Sequence, residues 1–571
     1  RKTLVTVENT STRTSYRSRK RLTNSRKSAS SVVEKSSSGD SFSLDIPFSE
    51  RMFLRQCARF YLKKATLTDM LEARTFYGQI PPNSKKTKDP VVMKKNWIAA
   101  LLGLFMISGW TLGAQPQAPR LDILKSEDQV RLAWESAPGA AYTLQVADRL
   151  RDYIWVNAPG STVWPILDNE WTPPFDPAAS SQKFYRLVQV EPSNRGARLS
   201  ITRGTIYSKQ LLQLLMREIA PELGLTFRYG AEFYGVSYET ITPIGDKTIA
   251  TGVICLPIDC PEPLGVMSVQ HGTIVLKSDA PSQSGNSSEA LICLAGAGMG
   301  YVSVMTDYLG LGESPGYHPY CHAGSEATAA IDLLRTAGVL CAEKKLVPSD
   351  RLFLAGYSQG GHATMALQRE IETRYNEEFN IVASAPMAGP YDLSGTMAED
   401  FLSPHPMSHL GYFVYILAAY QYVYRLGDSI EEFFLPPYDE TLPPLLDGMH
   451  SSHEIGAALP DRVDQLIRPE YLAAVRNDPN HPIRVALRDN DTCRGWVPKA
   501  PMRLWHCSGD HDVPYRNALV AVEEFHKVGV DVPLTDPVPG GDHRDGILPS
   551  FMQAFKWFLS FEGAGSPPSS D

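Results

Sequence analysis

Apolar and polar residues alternate in short runs along the first readable part of the chain. Val130-Arg131-Leu132-Ala133-Trp134, Tyr142-Thr143-Leu144-Gln145-Val146 and Phe184-Tyr185-Arg186-Leu187-Val188 each read as a strand with one buried face. Pro138-Gly139 and Pro159-Gly160 mark turns between them. This pattern predicts a small β-sandwich over residues 119–192, with 192–198 as a linker. The pattern then changes. Apolar runs at 234–241, 248–256, 266–269, 301–306, 351–355 and 381–385 read as strands, the first two paired around the turn Pro243-Ile244-Gly245-Asp246. Helical spacing appears at 325–336, from 358 to about 375, and at 548–561. Strand–helix alternation over 199–562 predicts an α/β domain with a parallel sheet covered on both faces.

One strand–helix junction carries the chemistry. Gly356-Tyr357-Ser358-Gln359-Gly360-Gly361 is a G-x-S-x-G sequence with a strand before it and a helix after it. The bare pattern is common by chance, so the context gives it meaning. A serine in a sharp strand-to-helix turn leaves no room for side chains two residues before and two after, which accounts for Gly356 and Gly360. The turn lifts the hydroxyl above the sheet edge and aims a helix N-terminus at it. Such a serine needs a base and an orienting acid, in chain order Ser, acid, His. Arg503-Leu504-Trp505-His506-Cys507-Ser508-Gly509-Asp510-His511-Asp512-Val513-Pro514 supplies Asp510, with Asp512 as the alternative. Pro539-Gly540-Gly541-Asp542-His543-Arg544-Asp545 supplies His543 on a loop of small residues. His506 and His511 read as local structure beside the acid, and His362 as packing at the helix start. An oxyanion needs two backbone N–H donors. Gln359 offers one, and the loop Gln270-His271-Gly272-Thr273 offers the other through Gly272 or Thr273.

Together these residues resemble the α/β-hydrolase superfamily, and within it the bacterial secreted esterases and lipases related to the secretory lipase family. Other stretches carry the likeness too: Asp307-Tyr308-Leu309-Gly310-Leu311-Gly312-Glu313-Ser314-Pro315-Gly316 and Gly389-Pro390-Tyr391-Asp392-Leu393-Ser394. The resemblance covers roughly 199–562 and implies ester hydrolysis through an acyl-enzyme on Ser358, His543 and Asp510, with no cofactor and no metal. Over a hundred residues separate the strand at 381 from Asp510, more than one crossover helix needs. A helical lid is therefore expected at about 395–500. In it Tyr412, Tyr415, Ile416, Ala419, Tyr420, Val423 and Tyr424 recur at helical spacing, a stripe that reads first as core and second as an apolar pocket wall. His271, Tyr357, Tyr412 and Tyr415 are the candidate substrate contacts. The first segment, 119–192, resembles a fibronectin type III-like module through Trp134 and Phe184-Tyr185-Arg186-Leu187. Its Trp155, Trp164 and Trp171 read as core aromatics, with a weak polysaccharide or surface contact as the alternative.

Charge and cysteine content divide the chain further. Residues 1–92 hold 19 Lys and Arg against 8 Asp and Glu, and 11–38 has almost nothing to bury, so a disordered basic leader is expected. Met93-Lys94-Lys95-Asn96, the apolar run 97–112 and Gly113-Ala114-Gln115 read as a secretory signal peptide over 93–114. The simplest account makes Met93 the true start and 1–92 upstream translation; a single membrane anchor with a basic tail is the rival. From Gln115 onward, 34 Lys and Arg face 55 Asp and Glu, which argues against nucleic-acid and anionic-membrane partners. A secreted enzyme acting on a small or lipid-like ester is the expectation, with a serine peptidase of the same fold, a feruloyl, aryl-ester or polyester esterase, and a non-catalytic binding protein as alternatives. Seven cysteines follow residue 115, and in an oxidising compartment Cys321 with Cys341 and Cys493 with Cys507 are the guessed pairs. Residues 563–571 read as a disordered tail.

Overall fold

The structure, a computed structural model, describes residues 2–8, short stretches between 121 and 190, 194–219, and 227–561 apart from 284, 286 and 408. The signal-peptide segment 93–114, Trp155, Trp164 and the tail 563–571 lie outside the described residues.

The alternating segments form two small antiparallel sheets. One runs β1 (Lys2–Glu8), β7 (Gln182–Val190), β4 (Ala141–Ala147) and β5 (Val156–Asn157); the other runs β2 (Leu121–Lys125), β3 (Val130–Trp134) and β6 (Glu170–Trp171). Leu132, Trp134, Leu144, Tyr185 and Leu187 from the two sheets bury one another, so each sheet spends its apolar face on the other. The leader expected at 1–92 to lack structure meets a strand at its start. Thr3, Val5, Thr6 and Val7 are β-branched and pair residue for residue with β7. The rest of that leader lies outside the described residues.

The second part is built on a sheet of nine strands in the order β16-β15-β14-β13-β11-β12-β10-β9-β8. β8 (Arg198–Tyr207), β9 (Gly230–Ile241) and β10 (Lys247–Ile258) form an antiparallel entry; from β12 (Val302–Thr306) onward the neighbours run parallel. β11 (Val266–Gln270), β13 (Arg351–Tyr357) and β14 (Asn380–Met387) are the centre, buried except at their starts, which is why they read as continuous apolar runs. Helix α1 (Ser288–Met299) lies almost on the sheet at Gly296. A Cβ at Gly296 would stand 2.1 Å from Met267 Cε. It was not legible as a helix. α2 (Ala323–Lys344) runs eight residues beyond the predicted end at 336, through Gly338, to a left-handed cap at Lys345. α3 (Gln359–Arg374) follows the elbow.

Between β14 and β15 (Leu504–Trp505) the chain leaves the sheet and forms a helical insertion, including α4 (Leu410–Tyr424), α5 (Pro469–Asn477) and α6 (Pro482–Asp489). It has its own buried core, in which Val414, Leu417, Tyr420, Phe434, Leu466 and Ile467 take part. α4 is apolar on every side, and its sides are covered accordingly. Three of its phenols reach different segments: Tyr415 donates to the Ile274 carbonyl (3.1 Å), Tyr420 to the Cys321 carbonyl (3.0 Å) and Tyr424 to Asp489 (3.0 Å). The chain then returns through β15, α7 (Arg516–Lys527), β16 (Leu534–Thr535) and α8 (Ile547–Leu559), the last packed on the sheet through Phe551, Phe555 and Phe558.

All seven described cysteines are buried and none is in a disulfide, so the guessed pairs are not formed. Cys321 belongs to the insertion core and Cys341 to the core on one face of the sheet; spacing along the chain did not report this separation. Among the described residues no helix is long and apolar enough to cross a membrane.

Gly361 tests the packing of α3 on the sheet. A Cβ there would lie 2.3 Å from the Met387 carbonyl oxygen, which is backbone and cannot swing aside. Gly361→Ala is expected to destabilise the protein by about 1–3 kcal/mol, read by denaturant unfolding.

Candidate active site

The turn at Ser358 is forced into a conformation that side chains avoid, with φ 60° and ψ −124°. Three glycines make it possible. A Cβ at Gly356 would stand 2.3 Å from the Gly360 oxygen, and one at Gly360 would stand 2.1 Å from the Gln270 oxygen on β11. The third is Gly361, described above; its need is set by β14 and is invisible in the local sequence. The Ser358 N–H donates to the Met387 carbonyl (2.9 Å), and the Ser358 carbonyl accepts from Gly361 and His362. Ser358 stands at the N-cap of α3, yet its hydroxyl makes no capping bond. A capping serine normally uses its oxygen on the helix; here the oxygen is left for other use.

His543 and Asp510 meet. His543 Nδ1 lies 2.5 Å from Asp510 Oδ2, so the imidazole donates from Nδ1 and leaves Nε2 as the acceptor. The histidine is placed by its backbone as well. Its carbonyl accepts from the Tyr357 hydroxyl (2.6 Å), next in sequence to Ser358, and its N–H donates to Asp542 (2.7 Å). The acid loop and the histidine loop touch through backbone, since a Cβ at Gly509 would lie 2.5 Å from the Gly540 oxygen. Asp510 also accepts from the N–H groups of Asp512 (3.0 Å) and Val513 (2.9 Å) and from His506 Nε2 (3.1 Å). Burial alone would raise its carboxyl. The hydrogen bonds from His506 and His543, and then their charges, outweigh burial and bring it down to about 2. Asp512, the alternative acid, is half-buried and braces Asp510 through its backbone.

The loop 270–274 comes against the elbow. The position of a Cβ on Gly272 is 4.0 Å from Ser358 Cβ. Thr273 shares a hydrogen bond with the Tyr320 hydroxyl (2.8 Å), and Ile274 accepts from Tyr415. Gln359 is the first residue of α3, where an N–H has no acceptor within its own helix. The four candidate substrate contacts divide. His271 is buried, with Nδ1 donating to the Gly272 carbonyl (2.7 Å) and its ring 4.3 Å from that of Tyr308. Tyr357 and Tyr415 are buried, and their hydroxyls are spent on His543 and Ile274. Those three hold loops in place. Tyr412 alone is half-buried; burial, then the charge of Asp512, pushes its phenol up to about 12.

Comparison with solved structures decides the family. Over 64% of this chain and 99% of the other, the sequence is 30% identical to a candidate hydrolase from Legionella pneumophila, with a TM-score of 0.59. The chain belongs to the α/β-hydrolase superfamily. The rice cell wall degrading esterase LipA from Xanthomonas oryzae is 29% identical over 65% of this chain and 98% of its own, with a TM-score of 0.57. No family model and no curated protein sequence matches.

Beneath the elbow this α/β-hydrolase carries a buried polar network that motif reading missed. Glu326 on α2 is 1% exposed. One of its oxygens accepts from the Gln359 side-chain amide (2.9 Å), and the other meets His362 Nδ1 (2.7 Å). His362 Nε2 lies 2.9 Å from the Asn490 carbonyl, which can only accept, so that nitrogen carries a proton. A second proton is then shared between Nδ1 and Glu326. The Gln359 amide also meets His318 Nε2 (2.9 Å), while His318 Nδ1 donates to the Leu309 carbonyl (2.8 Å). Burial first of all lowers His318 to about 4, which keeps it neutral and able to accept. Cys321, Glu326 and His362 bring one ligand atom each within 4.8 Å of one another. Both His362 nitrogens are already engaged, so this cluster offers a metal no free imidazole.

Two outcomes follow from the geometry. The folded Asp510 carboxyl titrates near 2, below its ordinary 3.8. Its contribution to stability is therefore complete above about pH 4 and is lost as pH falls through about 2. Asp510→Asn should flatten the fall in thermal midpoint across that window. Tyr357→Phe removes the bond to the His543 carbonyl, costs about 1 kcal/mol of stability and loosens the loop that carries His543. Its effect should fall on kcat, with KM near that of the wild type.

Proposed function

We propose that the chain is a secreted serine carboxylesterase that hydrolyses its substrate through an acyl-enzyme. The observation that carries the reading is His543 held by Asp510 at 2.5 Å and bound through its carbonyl by Tyr357, the residue next to a strained serine whose hydroxyl is not spent on its helix. Ser358 Oγ attacks the ester carbonyl as His543 Nε2 takes its proton. Asp510 fixes the tautomer and stabilises the imidazolium. The N–H groups of Gln359 and of Gly272 or Thr273 receive the oxyanion. His543 returns the proton to the departing alcohol, and water, activated by the same imidazole, releases the acid. The insertion serves as the lid, with α4 roofing the site, and 119–192 is a fibronectin type III-like module. Secretion rests on 93–114 as a signal peptide.

The Xanthomonas relative is described as degrading rice cell wall. That description favours a second reading, an ester carried on a cell-wall polymer, over a free lipid. A panel of soluble aryl esters of rising acyl length, set beside a feruloylated polysaccharide and an aryl amide, separates these readings from each other and from a peptidase.

Ser358→Ala should lose at least about 10⁴-fold in kcat, with unchanged circular dichroism and thermal midpoint. Turnover near the wild-type rate in that variant overturns the proposal.

A further inference from the structure

Asp510 carries two imidazoles, and the proposed ester hydrolysis uses one. His506 lies four residues before the acid and is fully buried. Its Nε2 donates to Asp510 Oδ2 at 3.1 Å and to the Val513 carbonyl at 2.8 Å. Its Nδ1 is buried with no partner among the described residues. Both partners of Nε2 are acceptors, so the hydrogen of His506 sits on Nε2. Its ring stands edge-on to Tyr515 at 5.5 Å, and its backbone N–H donates to the Thr535 carbonyl, so the imidazole is fixed in place. Two N–H groups therefore compete for one oxygen, Oδ2, the oxygen that receives His543.

We propose that His506 is a positioning residue that weakens Asp510 as a hydrogen-bond acceptor and thereby sets the proton affinity of His543. The inference rests on the reading of His543 and Asp510 as base and acid. A carboxylate with more donors holds each one less tightly. Without His506, Oδ2 belongs to His543 alone, the imidazolium is stabilised, and the free base forms only at higher pH. The other titratable groups facing the carboxylate are Tyr357 from β13, Tyr412 from α4, Cys507 and Asp512 from its own loop, and Asp542 from the histidine loop. Tyr515 and, beyond it, Asp536 face the His506 side. Among the described residues only His506 and His543 give side-chain hydrogen bonds to Asp510.

The test compares His506→Phe, which removes the donor, with His506→Gln, whose amide nitrogen reaches the Nε2 position. The acid limb of kcat/KM for a soluble aryl ester should move up by about half a unit to one unit in the phenylalanine variant, and stay near the wild type in the glutamine variant. The same shift should appear in the His543 imidazole titration followed by ¹⁵N NMR, which needs no turnover. If the wild type shows no ester hydrolysis, the proposed function fails and the NMR titration still decides this inference. If the phenylalanine variant does not fold, His506→Asn, whose amide falls short of Nε2, takes its place with the same readouts. A loss of kcat at all pH values, with limb and titration unmoved, makes His506 merely structural and overturns the proposal.

Discussion

The turn at Ser358 is the constraint on which the rest depends. A non-glycine residue at φ 60° and ψ −124° is costly, by about 1–3 kcal/mol, and persists only where its surroundings leave it no alternative. Here the surroundings are backbone. β13 arrives from below, and α3 starts so close to β11 and β14 that Gly360 faces the Gln270 oxygen and Gly361 the Met387 oxygen. Parallel pairing of β13 with both neighbours fixes those oxygens in register. The central sheet is thus the template that imposes the strain, and the helix that follows inherits its direction from it.

This explains what could be read in the sequence. Gly356, Ser358 and Gly360 fall within five residues, so the elbow is written locally. The central strands are apolar throughout because both their faces are covered, and they were placed to within a few residues. Asp510 and His543 are legible because each sits in a short loop of small residues after a recognisable element. Glu326 is not. It lies 33 residues from Gln359 and 36 from His362 along the chain, in a helix that otherwise reads as alanine-rich packing. His506 was legible as a neighbour of the acid but not as its partner, because four residues in a loop fix no geometry. α1 is not legible, since a helix buried on several sides loses its amphipathic stripe.

The buried network has an energetic logic of its own. A carboxylate at 1% exposure is tolerable only when its oxygens are engaged. Glu326 meets that condition with Gln359 and His362, one bearing a proposed oxyanion donor and the other standing a turn further into α3. The first turn of the helix is therefore held by its side chains as well as by its backbone. Asn490 extends the same network, since its carbonyl meets His362 and its side chain meets Ala323 N–H and the Tyr424 hydroxyl.

The three phenols of α4 bear on how the insertion can move. At 100° per residue, Tyr420 and Tyr424 leave the helix about 140° and 180° around the axis from Tyr415. Their anchors lie on Ile274, Cys321 and Asp489. Fastenings spread along a rod resist tilting, and fastenings spread around it resist rolling. Since α4 has both, raising it or turning it breaks bonds at several places together. Ile274 and Cys321 lie outside the insertion, so two of these bonds tie α4 to the frame, while Tyr424 ties it to α6 within the insertion.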